Sequence, residues 1–165
     1  MKILFILFIL IVFFNILTLN YQFFSYWWFD FNLLFLLIFA FLKPDYRKSI
    51  PLALILGIFS GLNSIFPISI FVIAYMIITF LTVLIIRNFI TINLLSIIPF
   101  SFSMIILYQL LIVFLVKIYF LLGFLSLNII FNNLYFKNLL NLGFWQTILL
   151  VLIYGLYKFN VKYVK

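Results

Sequence analysis

Long apolar runs alternate with short polar stretches along the whole chain. The cleanest run, Ile68–Ile86, holds 19 residues without a charge, and Ile3–Leu19 is interrupted only by Asn15 and Thr18. A helix needs about 20 apolar residues to cross the hydrocarbon of a bilayer. Because the runs are continuous and do not alternate with polar residues, they indicate membrane helices and not the strands of a barrel. The pattern predicts an all-α, polytopic membrane protein.

About six such runs account for the chain, so we expect a single integral membrane domain over residues 1–165. The predicted spans are Ile3–Leu19, Phe31–Leu42, Pro51–Phe66, Ile68–Ile86, Leu94–Val116 and about Leu139–Tyr157. The second span has only 12 residues, so we expect it to begin inside the aromatic stretch Tyr21–Phe29 or to tilt in a thinned bilayer. We interpret the first as an uncleaved helix, because no small-residue cleavage site follows it.

Composition supports the membrane class. The 165 residues are 70% hydrophobic and 7% charged, with a mean hydropathy of +1.45, which leaves too little polar surface for a soluble globule. A net charge of +8 would suggest nucleic acid in a soluble protein. Here the cations are spread between apolar spans, so membrane topology explains them and we expect no nucleic-acid partner.

The cations predict the orientation. If both termini are cytoplasmic, eight of the ten lie inside and only Lys117 and Lys137 lie outside, as the positive-inside rule requires. We therefore expect cytoplasmic N- and C-termini. The inner set includes a predicted cytoplasmic basic loop, to which we assign Lys43, Arg47, Lys48 and Arg87.

Residues 43–87 predict a hairpin of two membrane helices, whose polar ends, the charged segment before Pro51 and Arg87, lie on the same side. Gly57 and Gly61 are four residues apart, hence on one helix face, and Ala53 extends that face by a turn. Small residues at this spacing let a second helix approach closely in lipid. The glycine ridge, defined as Ala53, Gly57 and Gly61, either packs inside the chain or forms a partner interface.

Two later features are less regular. Pro99 predicts a kink that Ser101 and Ser103 partly compensate. Ile118–Leu127 either prolongs the fifth helix or lies at the membrane interface. An external loop is expected around Asn128, Asn132, Asn133, Lys137, Asn138 and Asn141.

The chemistry of an enzyme is largely missing. The chain has no Cys and no His, and Asp30 and Asp45 are its only acids. Asp30 borders an aromatic stretch, which favours headgroup level or a connecting loop over a functional intramembrane acid, and the topology puts Asp45 on the other face. For Tyr75 we expect simple space filling, and for Gln109 an interhelical contact. We expect no catalytic residue, metal or cofactor.

The hairpin region resembles the rod-shape-determining protein MreD family. The resemblance rests on Lys43-Pro44-Asp45-Tyr46-Arg47-Lys48, on Leu54–Ser60, on Phe71–Tyr75 and on Arg87-Asn88-Phe89. It implies a non-enzymatic scaffold in the bacterial cytoplasmic membrane, which binds an MreC-like partner and, through it, peptidoglycan synthases that control cell shape. One departure is that members commonly carry an Asp shortly after the glycines, where this chain offers Gly57, Ser60, Gly61 or Asn63.

Two alternatives stay open. The substrate-binding subunit of a vitamin-type (ECF) importer resembles this family in size and layout. It would need a polar pocket, for which Asn63, Tyr75, Gln109 and Gln146 are the candidates. A small respiratory-complex subunit is supported by composition alone.

Overall fold

The computed structural model describes residues 30–62, 64, 66–88, 94–125 and 133–163. The predicted first span, Ile3–Leu19, and the aromatic stretch Tyr21–Phe29 lie outside these residues. The described chain forms helices and, in these ranges, no strand. The five helices are α1 (Phe31–Leu42), α2 (Tyr46–Leu62), α3 (Ile68–Asn88), α4 (Leu94–Leu121) and α5 (Asn133–Tyr163).

Three of the described helices are long and apolar enough to cross a membrane. They are α3, the Ser96–Leu121 part of α4 and the Lys137–Lys158 part of α5. The remaining two have 12 and 17 residues, or about 18 Å and 26 Å at 1.5 Å per residue, against a hydrocarbon thickness of about 30 Å. These lengths and compositions indicate that the chain is a helical membrane protein. Six spans and the side on which the termini lie stay predictions.

The shortest helix, α1, lies at the centre of the described bundle. Residues 32–38, 40 and 41 are all buried, and α1 packs against α2, α3 and α5. At its end the ring of Phe41 meets those of Phe100 and Tyr154 edge to face, at 5.7 Å and 6.2 Å between centroids. The prediction that this helix begins inside the aromatic stretch was wrong. It begins at Phe31, because the side chain of Asp30 caps it by accepting the N–H of Leu33.

Helices α2 and α3 form the predicted hairpin. A Cβ added to Gly57 would lie 2.8 Å from Cα of Val72, and one added to Gly61 would lie 2.7 Å from Cα of Ile68. Ala53 is fully buried as well. The structure therefore places the glycine ridge against the chain's own next helix. The polar ends meet, since Cζ of Arg87 lies 5.5 Å from the centre of the Tyr46 ring.

The predicted basic loop is for the most part helical, which corrects the sequence interpretation. Arg47 and Lys48 belong to the first turn of α2 and Arg87 to the last turn of α3, and only Lys43 lies outside a helix. The reason is Asp45, whose side chain accepts the N–H of Arg47 at 3.0 Å and thereby starts α2 before Pro51.

The later helices are longer than hydropathy predicts. α4 continues past Lys117 to Leu121, so the first four residues of the run Ile118–Leu127 prolong the helix, which then ends in a Schellman motif. Residues 126 and 127 lie outside the described part of the chain. There the N–H groups of Gly123 and Phe124 donate to the carbonyls of Phe120 and Tyr119. Gly123 has φ +77°, the left-handed conformation that this motif requires.

Two expectations about polar residues in this half of the chain need correction. Four residues expected in an external loop are helical in α5, namely Asn133, Lys137, Asn138 and Asn141, whereas Asn128 and Asn132 of that loop lie outside the described residues. Beside Pro99, the hydroxyl of Ser103 donates to the proline carbonyl at 2.8 Å, whereas Ser101 has no hydrogen-bond partner among the described residues. Ser101 therefore does not help to compensate for the proline there.

Candidate functional site

The half-buried carboxylate of Asp30 is the most distinctive chemical group of the described chain. Oδ1 of Asp30 accepts the hydroxyl of Tyr75 at 2.6 Å and the N–H of Leu33 at 3.0 Å. Oδ2 accepts the hydroxyl of Tyr108 at 2.5 Å. Asp30 therefore joins three helices, because it caps α1 while the tyrosines belong to α3 and α4.

The network continues into α2 with a defined direction. The hydroxyl of Ser60 lies 2.8 Å from that of Tyr75, and Nδ2 of Asn32 donates to Ser60 at 2.8 Å. Since Tyr75 uses its one proton on Asp30, Ser60 donates to Tyr75 and accepts from Asn32. The chain of donors therefore runs from Asn32 through Ser60 and Tyr75 to Asp30. Such chains strengthen each bond by polarisation.

The tyrosines place this carboxylate away from the helix ends. Tyr75 is the eighth of 21 residues in α3, and Tyr108 lies near the middle of the Ser96–Leu121 segment. Both residues are fully buried, with exposed fractions of 0% and 1%, and their rings meet edge to face at 5.3 Å. The expectation that Tyr75 merely fills space was wrong, because its hydroxyl bonds Asp30 and Ser60. Asp30 lies outside a helix, as the N-cap of α1, and its level relative to the lipid headgroups stays a prediction.

Hydrogen bonds replace part of the hydration that the Asp30 carboxyl group loses on burial. A charged group removed from water is costly unless hydrogen bonds replace its hydration. Asp30 receives two hydroxyl donors and one backbone donor, and it lies at the N-terminus of α1, where the helix dipole favours negative charge. Hydrogen bonds to a charged group are also about twice as strong as those between neutral groups. The network can thus hold α1 in place between α2, α3 and α4.

The same geometry limits what the site can do chemically. Asp45, the other acid, lies beyond the far end of α1, about 18 Å away along the helix, so the two carboxylates form no pair. No group of three or more metal-binding side chains occurs among the described residues. With its donors supplied by the chain itself, Asp30 is suited to structural stabilisation.

Four buried hydroxyl and amide side chains lack hydrogen-bond partners within the described part of the chain. They are Ser49, Thr82, Ser101 and Gln146. In Gln146 both the amide nitrogen and the amide oxygen lack a partner among the described residues, and the residue is fully buried in α5. Of the other pocket candidates, Tyr75 is engaged by Asp30, Gln109 is buried in α4, and Asn63 lies outside the described residues.

Sequence reasoning missed the network because its members are far apart in the chain. Asp30, Tyr75 and Tyr108 are separated by 45 and 33 residues. Two local signals were nevertheless present: an Asp directly before an apolar run is a typical N-cap, and a Tyr in the middle of an apolar run needs an acceptor.

Comparisons with protein-family models, with curated proteins and with solved structures found no match for this chain. The assignment to a family therefore remains a prediction from the residues of the hairpin.

Proposed function

We propose that this protein is a non-enzymatic scaffold subunit of the bacterial cytoplasmic membrane, of the MreD type, which acts in the cell-elongation machinery. Its partners would be an MreC-like membrane protein and, through it, peptidoglycan synthases. The observation that carries the proposal is the engagement of Asp30, whose carboxylate receives its hydrogen bonds from the chain's own Tyr75, Tyr108 and Leu33. The one acid within the bundle therefore stabilises the fold.

The absence of reactive groups points the same way. The sequence has no Cys and no His, so a hydroxyl nucleophile would have no imidazole base. Among the hydroxyls near Asp30, those of Tyr75 and Tyr108 donate to the carboxylate, and that of Ser60 bonds Tyr75 and Asn32. A scaffold needs a stable bundle and a partner surface, and neither requires further chemistry.

The Asp30 network also bears on the one departure from the family pattern. The resemblance implies an acid shortly after the glycines, where this chain offers Gly57, Ser60, Gly61 or Asn63, and of these Ser60 belongs to the network. Ser60 bonds Tyr75, and Tyr75 bonds Asp30. A carboxylate is therefore present two hydrogen bonds from this position, although it comes from the start of α1. The position of Asp30 near Ser60 therefore supports the resemblance, although the acid comes from a different part of the sequence.

The partner surface has to lie away from the glycine ridge. Gly57 and Gly61 already contact the backbone of α3, so a partner helix cannot approach them without opening the hairpin. The opposite face of α2 carries exposed apolar side chains, namely Leu54, Ile55, Ile58, Phe59 and Leu62. We therefore place the proposed contact with an MreC-like helix on the outer face of α2.

Affinity purification of the tagged chain in mild detergent tests the function. The proposal expects a single-span periplasmic protein and cell-wall synthases in the eluate. A pair of ATPases, or a tightly bound small molecule, would instead identify the importer subunit. Respiratory-complex subunits would identify the third alternative. Either of these outcomes would contradict the scaffold.

A surface variant makes the test specific to α2. Replacing Ile55 and Phe59, which are exposed by 47% and 49%, with Ala should reduce capture of the single-span partner while leaving the bundle folded. The matched control changes Leu152 and Leu156, exposed at 58% and 66% on α5, to Ala. If both double variants lost partner capture equally, the outer face of α2 would not be the partner surface.

A further inference from the structure

Four exposed cations gather at one end of the α2–α3 hairpin. Lys43, Arg47 and Lys48 lie within six consecutive residues. Arg87 of α3 lies beside these residues. Its Cζ is 5.5 Å from the centre of the ring of Tyr46, the residue that directly precedes Arg47. We call Lys43, Arg47, Lys48 and Arg87 the basic cluster.

The chain does not neutralise this cluster. Asp45 is the nearest acid, and its Oδ1 accepts the backbone N–H of Arg47, as the cap of α2. Asp30 lies at the opposite end of α1 and is engaged by Tyr75 and Tyr108. The cluster therefore has four positive charges and one nearby negative charge, that of Asp45. The N-terminus of α2 adds partial positive charge at the same place.

The cluster lies at one end of a helix that is long and apolar enough to cross a membrane, where phospholipid headgroups are expected. Arg87 occupies the last turn of α3, which is long enough to cross the membrane, so its guanidinium lies where the apolar helix ends. The Tyr46 ring below it packs against Phe80 at 5.4 Å, which fixes the surface on which Arg87 rests. The placement holds whichever leaflet this end faces.

We propose that the basic cluster binds the headgroup phosphate of an anionic phospholipid. The guanidinium fork matches the geometry of phosphate oxygens, and the lysine ammonium groups add point charges. Clusters of four or more cations at the end of a membrane helix are typical of anionic-lipid recognition.

Native mass spectrometry of the full-length protein in detergent tests this site. The probes are phosphatidylglycerol and phosphatidylcholine, which differ in headgroup charge. We expect preferential retention of phosphatidylglycerol, and a fall in its affinity of about fivefold for each cation removed. Arg87→Gln should therefore lower it about fivefold, and Arg47→Gln with Lys48→Gln about 25-fold.

Lys137→Gln is the matched control. Lys137 is exposed and begins the spanning part of α5, 17 residues before Tyr154, which meets Phe41 near the cluster. It therefore lies at the other end of the bundle, and phosphatidylglycerol retention should not change.

Three results would overturn the site: equal retention of the two lipids, an equal loss for Lys137→Gln, or displacement of phosphatidylglycerol by inorganic phosphate at the same concentration. Arg87→Lys keeps the charge but loses the guanidinium fork, so it should lose less phosphatidylglycerol retention than Arg87→Gln, and an equal loss in the two variants would contradict electrostatic binding.

Discussion

Substituting Gly57 with Ala tests the contact that closes the α2–α3 hairpin. The new Cβ would lie 2.8 Å from Cα and 3.1 Å from the backbone N of Val72. Carbon atoms pack best at about 3.5–4.0 Å, so the helices would have to separate by about 1 Å. Both contact atoms belong to the backbone, and therefore no side-chain rotamer can relieve the clash.

The magnitude follows from comparison with Gly155. A Cβ there meets nothing within 4 Å, so Gly155→Ala changes helix propensity alone. Propensity favours Ala over Gly by about 1 kcal/mol in either helix and cancels in the difference. Overpacking then leaves Gly57→Ala less stable than Gly155→Ala by about 1–3 kcal/mol. The stability of Gly143→Ala should lie between those of the other two variants, because its Cβ would lie 3.3 Å from the Phe102 side chain, which can move.

The assay is equilibrium unfolding in one detergent, followed by circular dichroism, for Gly57→Ala, Gly143→Ala and Gly155→Ala. Equal stability of Gly57→Ala and Gly155→Ala would refute the intrachain packing of the glycine ridge. If Gly57→Ala remained as stable as Gly155→Ala yet lost partner capture, the ridge would instead be the partner interface that the sequence left open.

Two further substitutions are predicted from the structure. Gln146→Met removes a fully buried amide that has no hydrogen-bond partner among the described residues, and should raise the free energy of unfolding by up to about 1–3 kcal/mol; a loss of stability would reveal a partner elsewhere. Gly123→Ala, at φ +77°, should lower it by about 1–2 kcal/mol, and Gly123→Asn by less, because Asn tolerates the left-handed conformation; equal stability of Gly123→Ala and the unchanged protein would contradict the Schellman end of α4.

Hydropathy predicted the ends of those helices that begin or stop where the apolar run does. The predicted span Ile68–Ile86 differs from α3 by two residues at one end, and the predicted start at Leu94 is that of α4. It failed where polar residues continue a helix. Asn133 and Lys137 are helical in α5, since leaving the apolar region does not oblige a helix to stop.

The candidate site was less accessible to sequence reasoning. Asp30 was placed at headgroup level because local composition records only its aromatic neighbours. Its hydroxyl donors, Tyr75 and Tyr108, come from helices that the chain reaches much later, and their side chains meet only in the packed bundle. The glycine spacing, by contrast, predicted a close helix contact, and the structure supplies its partner in Val72 and Ile68.

The most direct test is the stability effect of Tyr108→Phe in two backgrounds. In the unchanged protein this substitution removes a hydrogen bond to a carboxylate and should cost about 1.5–3 kcal/mol, whereas in Asp30→Leu the hydroxyl has already lost its acceptor and the cost should vanish. Tyr154→Phe, which keeps the ring contact with Phe41, is the control and should change little in either background. Equal costs of Tyr108→Phe in the two backgrounds would contradict a structural role for the Asp30 carboxylate.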